Sequence, residues 1–219
     1  MTTVEPRTRP LASRAAFGFG AGIGLGVALG ALAWVSDRLP YPWEAISPAN
    51  AIGAWVGLGF ILGASARTVP TGALRGLIGL LSAVAAYYVL IAVFGAGIRA
   101  IGATHAATIW GSVALVAGPV FGLAGGAWRH WRGTPRELAV GMLAAALVAE
   151  GIVFGGLRLG DAGGVRLAVE AAIGILLPAV LLPADERRSG YLATLALAVA
   201  AGVAIGPVTA LVRSIADRF

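Results

Sequence analysis

Two carboxylates interrupt otherwise apolar stretches of this sequence and are its first candidates for chemistry. Glu150 lies in the run Leu147-Val-Ala-Glu-Gly-Ile-Val153, and Glu170 lies in Leu167-Ala-Val-Glu-Ala-Ala-Ile173. A charged group at the centre of a membrane costs at least about 2.5 kcal/mol. Such a group therefore faces a cavity or a partner, or it stays protonated. We expect Glu150 deep inside its segment and Glu170 nearer the end of its own.

Polar and aromatic residues are predicted to surround these carboxylates in the outer half of the membrane segments. The predicted ligand-binding set adds the following residues to the two glutamates: Asn50, Tyr87, Tyr88 and His105. The functional hypothesis is an outward-facing polar pocket for a small solute, a lipid headgroup or protons. The structural alternative is that Glu150 binds an arginine or a backbone group and fixes the register of its helix. The residues alone leave both open.

The composition is that of a membrane protein. Of the 219 residues, 58% are hydrophobic and 33 are Gly, whereas 12% are charged, about half of the roughly 25% usual for a soluble domain. A soluble enzyme, a disordered tail and a free nucleic-acid-binding module are therefore excluded. The net charge of +6 comes from single arginines and small groups of them between apolar segments. That distribution is typical of membrane loops, so no nucleic acid is expected as a partner.

The apolar stretches predict an all-α polytopic transmembrane bundle with about seven spans. Helices are expected because lipid cannot satisfy free backbone groups and because the segments lack the alternation of barrel strands. The predicted spans are 15–35, 49–66, 73–94, 106–127, 138–157, 167–182 and 191–212. Six spans with a re-entrant sixth segment are the alternative. Residues 1–14 are expected to form a cytoplasmic tail, followed by a single transmembrane domain, 15–219.

The positions of the arginines predict the orientation of the chain. With the N-terminus inside, ten arginines fall on the inner face and six on the outer face, which matches the cationic bias of cytoplasmic loops. The N-terminus is therefore expected in the cytoplasm. Seven spans put the C-terminus outside, but Arg213 and Arg218 fit an inner tail better, so the side of the C-terminus stays open.

A regular series of glycines marks the first span. Four of them recur every four residues and share one helix face: Gly18, Gly22, Gly26 and Gly30. Gly20 and Gly24 are expected to widen this glycine strip. A smooth face of this kind lets another helix approach closely. The partner helix can belong to the same chain, to a second copy or to another protein.

Motifs for catalysis are missing from the sequence. It has no GxSxG elbow, P-loop, HExxH motif or Cys, so no catalytic residue, metal ligand or cofactor is predicted. The first functional hypothesis is a non-catalytic membrane subunit that packs against a membrane-protein partner or forms a homo-oligomer. The second is a small-solute binder or transporter built around Glu150. Membrane lipids are also expected partners, since the cluster Trp128-Arg-His-Trp-Arg132 predicts an interfacial belt facing anionic lipids.

An ordered series of short motifs resembles a known family. The series is Ala49-Asn-Ala51, Arg67, Tyr87-Tyr88, Gly118-Pro-Val-Phe-Gly122, Trp128-Arg129, Ala149-Glu-Gly151 and Leu176-Leu-Pro178. In this order the motifs resemble a domain-of-unknown-function family of small multi-pass membrane proteins from high-GC bacteria, and the resemblance covers most of the chain. It implies a bacterial cytoplasmic (inner) membrane protein and no reaction. It also draws attention to Glu150, which lies inside one of the motifs.

Overall fold

The computed structural model describes residues 11–40, 43, 47–95, 98–151, 161–184, 196 and 200. Six α-helices follow one another in this part of the chain: α1 (Leu11–Ser36), α2 (Ile52–Ala64), α3 (Val69–Phe94), α4 (Ile98–His130), α5 (Thr134–Glu150) and α6 (Asp161–Leu181). A 3-10 turn, Pro48–Asn50, leads into α2, and no strand occurs among these residues. The predicted all-α class is therefore confirmed for them. Almost all of the predicted seventh span, 191–212, lies outside the described residues.

Three helical segments are long and apolar enough to cross a membrane, which is consistent with a membrane protein: Gly18–Ser36, Val69–Phe94 and Gly102–His130. Helix α2 has only 13 residues. At about 1.5 Å per residue it is about 20 Å long, less than the roughly 30 Å of a hydrocarbon core. The predicted second span, 49–66, thus contains a helix that is too short to cross by itself.

The centre of the fold is a crossing of α2, α3 and α4 at which glycines remove side chains from the contacts. A Cβ atom on Gly63 of α2 would lie 2.0 Å from the carbonyl oxygen of Gly122 in α4. One on Gly76 of α3 would lie 2.3 Å from the carbonyl oxygen of Gly118. Backbones can approach this closely only where side chains are absent, as in other membrane helix pairs.

Helix α1 packs lengthwise on α3 through the glycine strip Gly18, Gly22, Gly26 and Gly30. Cβ atoms on Gly26 and Gly30 would each lie 2.2 Å from a carbonyl oxygen of α3, those of Gly79 and Ala83. Since the contacts advance in the same direction along both helices, α1 and α3 are parallel. The partner helix of the glycine strip therefore belongs to the same chain.

Gly20 and Gly24 lie on the other side of α1. Both are exposed, and no atom of a neighbouring element lies within 4 Å of a Cβ built on either of them. The expectation that they widen the glycine strip is wrong, because two residues along an α-helix correspond to a rotation of about 200°. Together they belong to a smooth outward face of α1.

Helices α5 and α6 complete the bundle on the side of α2 and α4. A buried cluster that includes Phe60, Ala124 and Leu143 joins α2, α4 and α5, and Leu177 of α6 packs against it. At Gly174 of α6, an added Cβ would lie 2.8 Å from the side chain of Val148. Helix α6 thus lies directly on α5.

The described residues bury small side chains and expose large apolar ones. More than half of the buried apolar residues are alanine, whereas Val93, Val116 and Val180 are 65%, 67% and 74% exposed. Soluble proteins rarely expose extensive apolar surface. Small buried residues with large outward ones are instead the pattern of helices that pack in lipid.

A pair of alanine substitutions on α1 tests the contact between α1 and α3. We expect Gly26→Ala to lower the free energy of unfolding by roughly 1–3 kcal/mol, because its methyl group overpacks the backbone of α3. Gly24→Ala is the matched control. Its methyl group enters open space, so we expect no loss and a gain of up to about 1 kcal/mol from helix propensity. Unfolding in detergent measures both, and equal losses would contradict this packing.

Candidate functional site

The bundle has two ends, and each is named here after a buried charged residue that lies near it. The glutamate end holds Ser36, Asn50, Phe94 and Glu150, and the arginine end holds Ala64, Val69, His130 and Thr134. Helix α2 runs from the first to the second. The first four N–H groups and the last four C=O groups of a helix lack intrahelical partners, and lipid supplies none. The N-cap residue of α2 is Ala51, whose side chain makes no capping hydrogen bond.

Glu150 of α5 caps the N-terminus of α2. Its Oε1 accepts the N–H of Ile52 and its Oε2 accepts the N–H of Gly53, each at 2.6 Å. The side chain is buried, with 2% exposure. Charge-assisted hydrogen bonds and the partial positive charge of a helix N-terminus both favour a carboxylate in this position. Glu150 thus binds backbone groups, which is the geometry expected if its role is structural and not the binding of a ligand.

Gly53 lets α5 approach the first turn of α2. A Cβ at Gly53 would lie 2.3 Å from Cδ2 of Leu147 and 3.5 Å from Oε2 of Glu150. Leu147 and Glu150 are three residues apart in α5 and so point to the same side of it. A side chain at position 53 would therefore push α5 away and separate the carboxylate from the α2 backbone.

Glu170 of α6 is buried with 6% exposure. Gly174, one turn further along α6, faces Ala144 and Val148 of α5. Helix α5 ends at the glutamate end and α6 begins there, so the two helices are antiparallel. One turn is about 5.4 Å, which places Glu170 at the level of residues 148–152. The structure thus brings the two predicted carboxylates to one level of the bundle.

Arg75 of α3 binds the opposite terminus of α2. Its Nη1 donates to the backbone oxygen of Ser65 at 3.0 Å and to the hydroxyl of the same residue at 3.3 Å, and Ser65 is the C-cap of α2. A cation at this position complements the partial negative charge of a helix C-terminus. Arg75 is 8% exposed, so the sequence-based count of it among the loop arginines misses its structural role.

Gly18 of α1 provides the space for this guanidinium. A Cβ at Gly18 would lie 2.0 Å from Nη2 of Arg75, and the ring of Phe19 lies 5.7 Å from the Arg75 Cζ atom. Gly18 therefore has a different structural role from Gly26 and Gly30. It accommodates a charged side chain, whereas Gly26 and Gly30 bring two backbones together.

Other side chains at the arginine end donate to free backbone carbonyls. The Nε1 of Trp128 donates to the oxygen of Leu181 at 2.8 Å, where α6 ends. The Nε2 of His130 donates to the oxygen of Ala66 at 2.9 Å, just after α2. Arg136 Nε donates to the oxygen of Trp128 at 3.1 Å. Trp, His and Arg side chains thus serve the C-terminal ends of three helices.

These bonds divide the predicted lipid-facing belt. Trp128 and His130 bind the ends of neighbouring helices. Arg129, Trp131 and Arg132 are exposed, as is His130 in part. The prediction treats the five residues as one surface, because their order in the sequence does not tell which ones point towards a neighbouring helix terminus.

Asp37, at the end of α1, is the polar centre of the glutamate end. Its Oδ1 accepts from the Nδ2 of Asn50 at 2.7 Å, and its Oδ2 accepts from the hydroxyl of Tyr87. Ser36 and Ser47 hydroxyls share a hydrogen bond of 2.6 Å beside it. Asn50 and Tyr87 therefore meet at Asp37. The sequence analysis missed this residue because it lies just after the predicted span 15–35 and resembles an ordinary loop residue.

The remaining predicted aromatic residues line an apolar cluster. Tyr88 packs with Trp55 and Trp110 around buried Leu80 and Val84. Its ring also meets the ring of the preceding tyrosine edge-on, with a centroid separation of 4.9 Å. His105 is exposed on α4. The six predicted ligand-binding residues thus enter several different sets of contacts.

The comparisons with known proteins give a family and no activity. A family model described as a family of unknown function (DUF6518) matches residues 9–213. No curated protein and no solved structure matches the chain. The resemblance to a family of unknown function is confirmed, and the family assigns no role to the chain.

Glu150→Gln tests whether the carboxylate is a structural cap. A glutamine presents one acceptor oxygen and no charge, so one N–H of α2 loses its acceptor and the other loses a charge-assisted bond. We expect the free energy of unfolding to fall by roughly 2–4 kcal/mol, measured by unfolding in detergent. Glu137→Gln, an acid on the same helix, should cost less than about 1 kcal/mol. Unchanged stability of the Glu150 variant would favour the solute-binding alternative.

Arg75→Gln, compared with Arg67→Gln, tests the cap at the other end of α2. Both substitutions remove one guanidinium from the arginine end, but Arg75 is buried and Arg67 is exposed. We expect a loss of about 1–3 kcal/mol for Arg75→Gln, because the carbonyl and the hydroxyl of Ser65 at the C-cap of α2 lose their donor. Arg67→Gln should stay within about 0.5 kcal/mol. The same thermal or denaturant unfolding experiment reports both, and similar losses would argue against a cap.

Proposed function

The chain belongs to the DUF6518 family, a family of unknown function, and we propose that it acts as a non-catalytic, multi-pass membrane subunit. In this role it packs against a second copy of itself or against another membrane protein. The proposal rests on one observation, the two different faces of α1. One face packs inside the chain, and the opposite face is smooth and is not covered by any helix in the described part of the chain.

The outward face of α1 carries small residues at four-residue spacing. Gly20, Gly24 and Ala28 are all exposed, and a Cβ on either glycine would meet no neighbouring element within 4 Å. In lipid, a row of small residues lets a second helix approach until the backbones are in van der Waals contact. The glycine strip on the other face of α1 makes this kind of contact with α3.

Larger residues border this row and give it the shape of a groove. Ile23 and Val27 lie on one side and Leu25 lies on the other, each between 45% and 50% exposed. Leu32, which is 59% exposed, follows Ala28 by four residues and ends the row. Ridges of one helix pack into grooves of another. A groove with ridges on both sides can match an identical helix, so a two-fold symmetric pair is the first arrangement to test.

The arginines support a cytoplasmic position for the arginine end. That end carries Arg14, Arg67, Arg75, Arg129, Arg132 and Arg136, and the glutamate end carries Arg38, Arg99 and Arg166. The cationic bias of cytoplasmic loops favours this orientation. The proposal therefore includes a cytoplasmic N-terminus in a bacterial inner membrane.

Binding or transport of a small solute beside Glu150 remains the alternative function. It ranks second because both carboxylate oxygens of Glu150 already accept N–H groups of α2. A solute would have to displace these bonds or bind elsewhere at the glutamate end. Ligand density beside Glu150 in a monomeric preparation would favour this alternative over the subunit proposal.

Substitution of both outward glycines tests the subunit proposal. We expect Gly20→Leu with Gly24→Leu to weaken self-association at least about tenfold, since a loss of about 1.4 kcal/mol has that effect. Energy transfer between labelled copies in vesicles measures it. Gly164→Leu is the control, because Gly164 of α6 is also exposed with open space around it. If no copy or co-purifying membrane protein binds the wild-type chain, the proposal fails.

A further inference from the structure

Three arginines of the arginine end point away from the bundle. Arg67 follows α2, and Arg129 and Arg132 lie at the end of α4 and just after it. All three are exposed. Within the ranges that the structure describes, none of them makes a hydrogen bond or an ion pair. The same end has two arginines that do have structural partners, Arg75 and Arg136.

The bond from His130 to Ala66 brings the exposed arginines to one surface. It joins the end of α4 to the segment between α2 and α3 at 2.9 Å. Arg67 directly follows one partner of this bond, and Arg129 directly precedes the other. Arg67 and Arg129, which are distant in the sequence, therefore lie at the same end of the bundle, each next to a residue of this bond.

The surface lies where lipid headgroups are expected. The candidate membrane segments end at His130 in α4 and begin at Val69 in α3, so the exposed arginines lie at or just beyond the ends of the apolar segments. Trp131, which lies between Arg129 and Arg132 in the sequence, is 49% exposed. Exposed tryptophan beside arginine is typical of the interfacial zone of a membrane.

Charge complementarity identifies the partner of this surface. Like charges repel one another, and among the described residues of this end the only acid is Glu137, in the first turn of α5. Phosphate groups carry the complementary negative charge, and guanidinium groups bind phosphate well. We propose that Arg67, Arg129 and Arg132 bind the phosphate groups of anionic lipids in the leaflet at the arginine end.

The proposal is tested on the full-length protein in vesicles that contain phosphatidylglycerol and phosphatidylcholine. The measurement is the relative affinity for the two lipids, from fluorescence quenching by brominated forms of each. We expect the wild-type chain to prefer phosphatidylglycerol and the triple variant R67Q/R129Q/R132Q to lose this preference. The expected loss is about fivefold for each arginine, which is the effect of about 1 kcal/mol per charge near the surface, and added salt should reduce the preference.

Two control variants show whether the preference depends on positive charge and whether it depends on charge at these three positions. The triple variant R67K/R129K/R132K keeps the charges and should keep most of the preference, whereas Arg38→Gln removes an exposed arginine at the glutamate end and should keep all of it. Since the three arginines are exposed, the glutamine variant should unfold as the wild type does; if it does not, the three single variants carry the test.

Several outcomes would overturn the proposal. They are an unchanged preference in the glutamine variant, an equal loss in Arg38→Gln, or an equal loss in the lysine variant. Tighter binding of a soluble acidic peptide or oligonucleotide than of lipid, lost in the same glutamine variant, would also overturn it and assign the surface to a macromolecule. Self-association through α1 is measured separately, so failure of either proposal leaves the other intact.

Discussion

The backbone termini of α2 set the constraint on which the bundle depends. A helix of 13 residues is too short to carry both ends to water across a membrane, so its free N–H and C=O groups need partners inside the protein. Glu150 supplies acceptors at one end and Arg75 supplies donors at the other. Each charge lies at the helix end whose dipole favours it. The two buried charges are therefore stabilised by the same element that they stabilise.

Glycines leave the space in which the Glu150 and Arg75 caps form. Gly53 admits α5 with Glu150, and Gly18 admits the guanidinium of Arg75. The crossing of α2, α3 and α4 at Gly63, Gly76 and Gly122 brings the three helices close enough for side chains to reach neighbouring helix ends. High glycine content and buried charge thus belong to one arrangement. In lipid, close packing and hydrogen bonds between helices replace the hydrophobic effect as the source of association.

This arrangement changes the functional interpretation of the conspicuous residues. A lone glutamate in an apolar segment suggests a ligand, but Glu150 binds the backbone of α2. A glycine strip suggests a partner subunit, but Gly26 and Gly30 contact α3 of the same chain. The surfaces left for partners are less conspicuous in the sequence. The surfaces that we propose for partners are the outward row of Gly20, Gly24 and Ala28 and the exposed arginines at the arginine end.

Apolar runs determined the helical class and the approximate positions of most described helices. The length and composition of such a run are read from residues that are adjacent in the sequence, so no tertiary contact is needed to recognise it. The four-residue spacing of Gly18, Gly22, Gly26 and Gly30 also indicated a face for close helix packing. Only the tertiary structure decided what the charges do. Ile52 and Glu150 are 98 residues apart, and Asp37 and Tyr87 are 50 apart. Which helix end a side chain reaches follows from how the helices cross, and no local pattern records that.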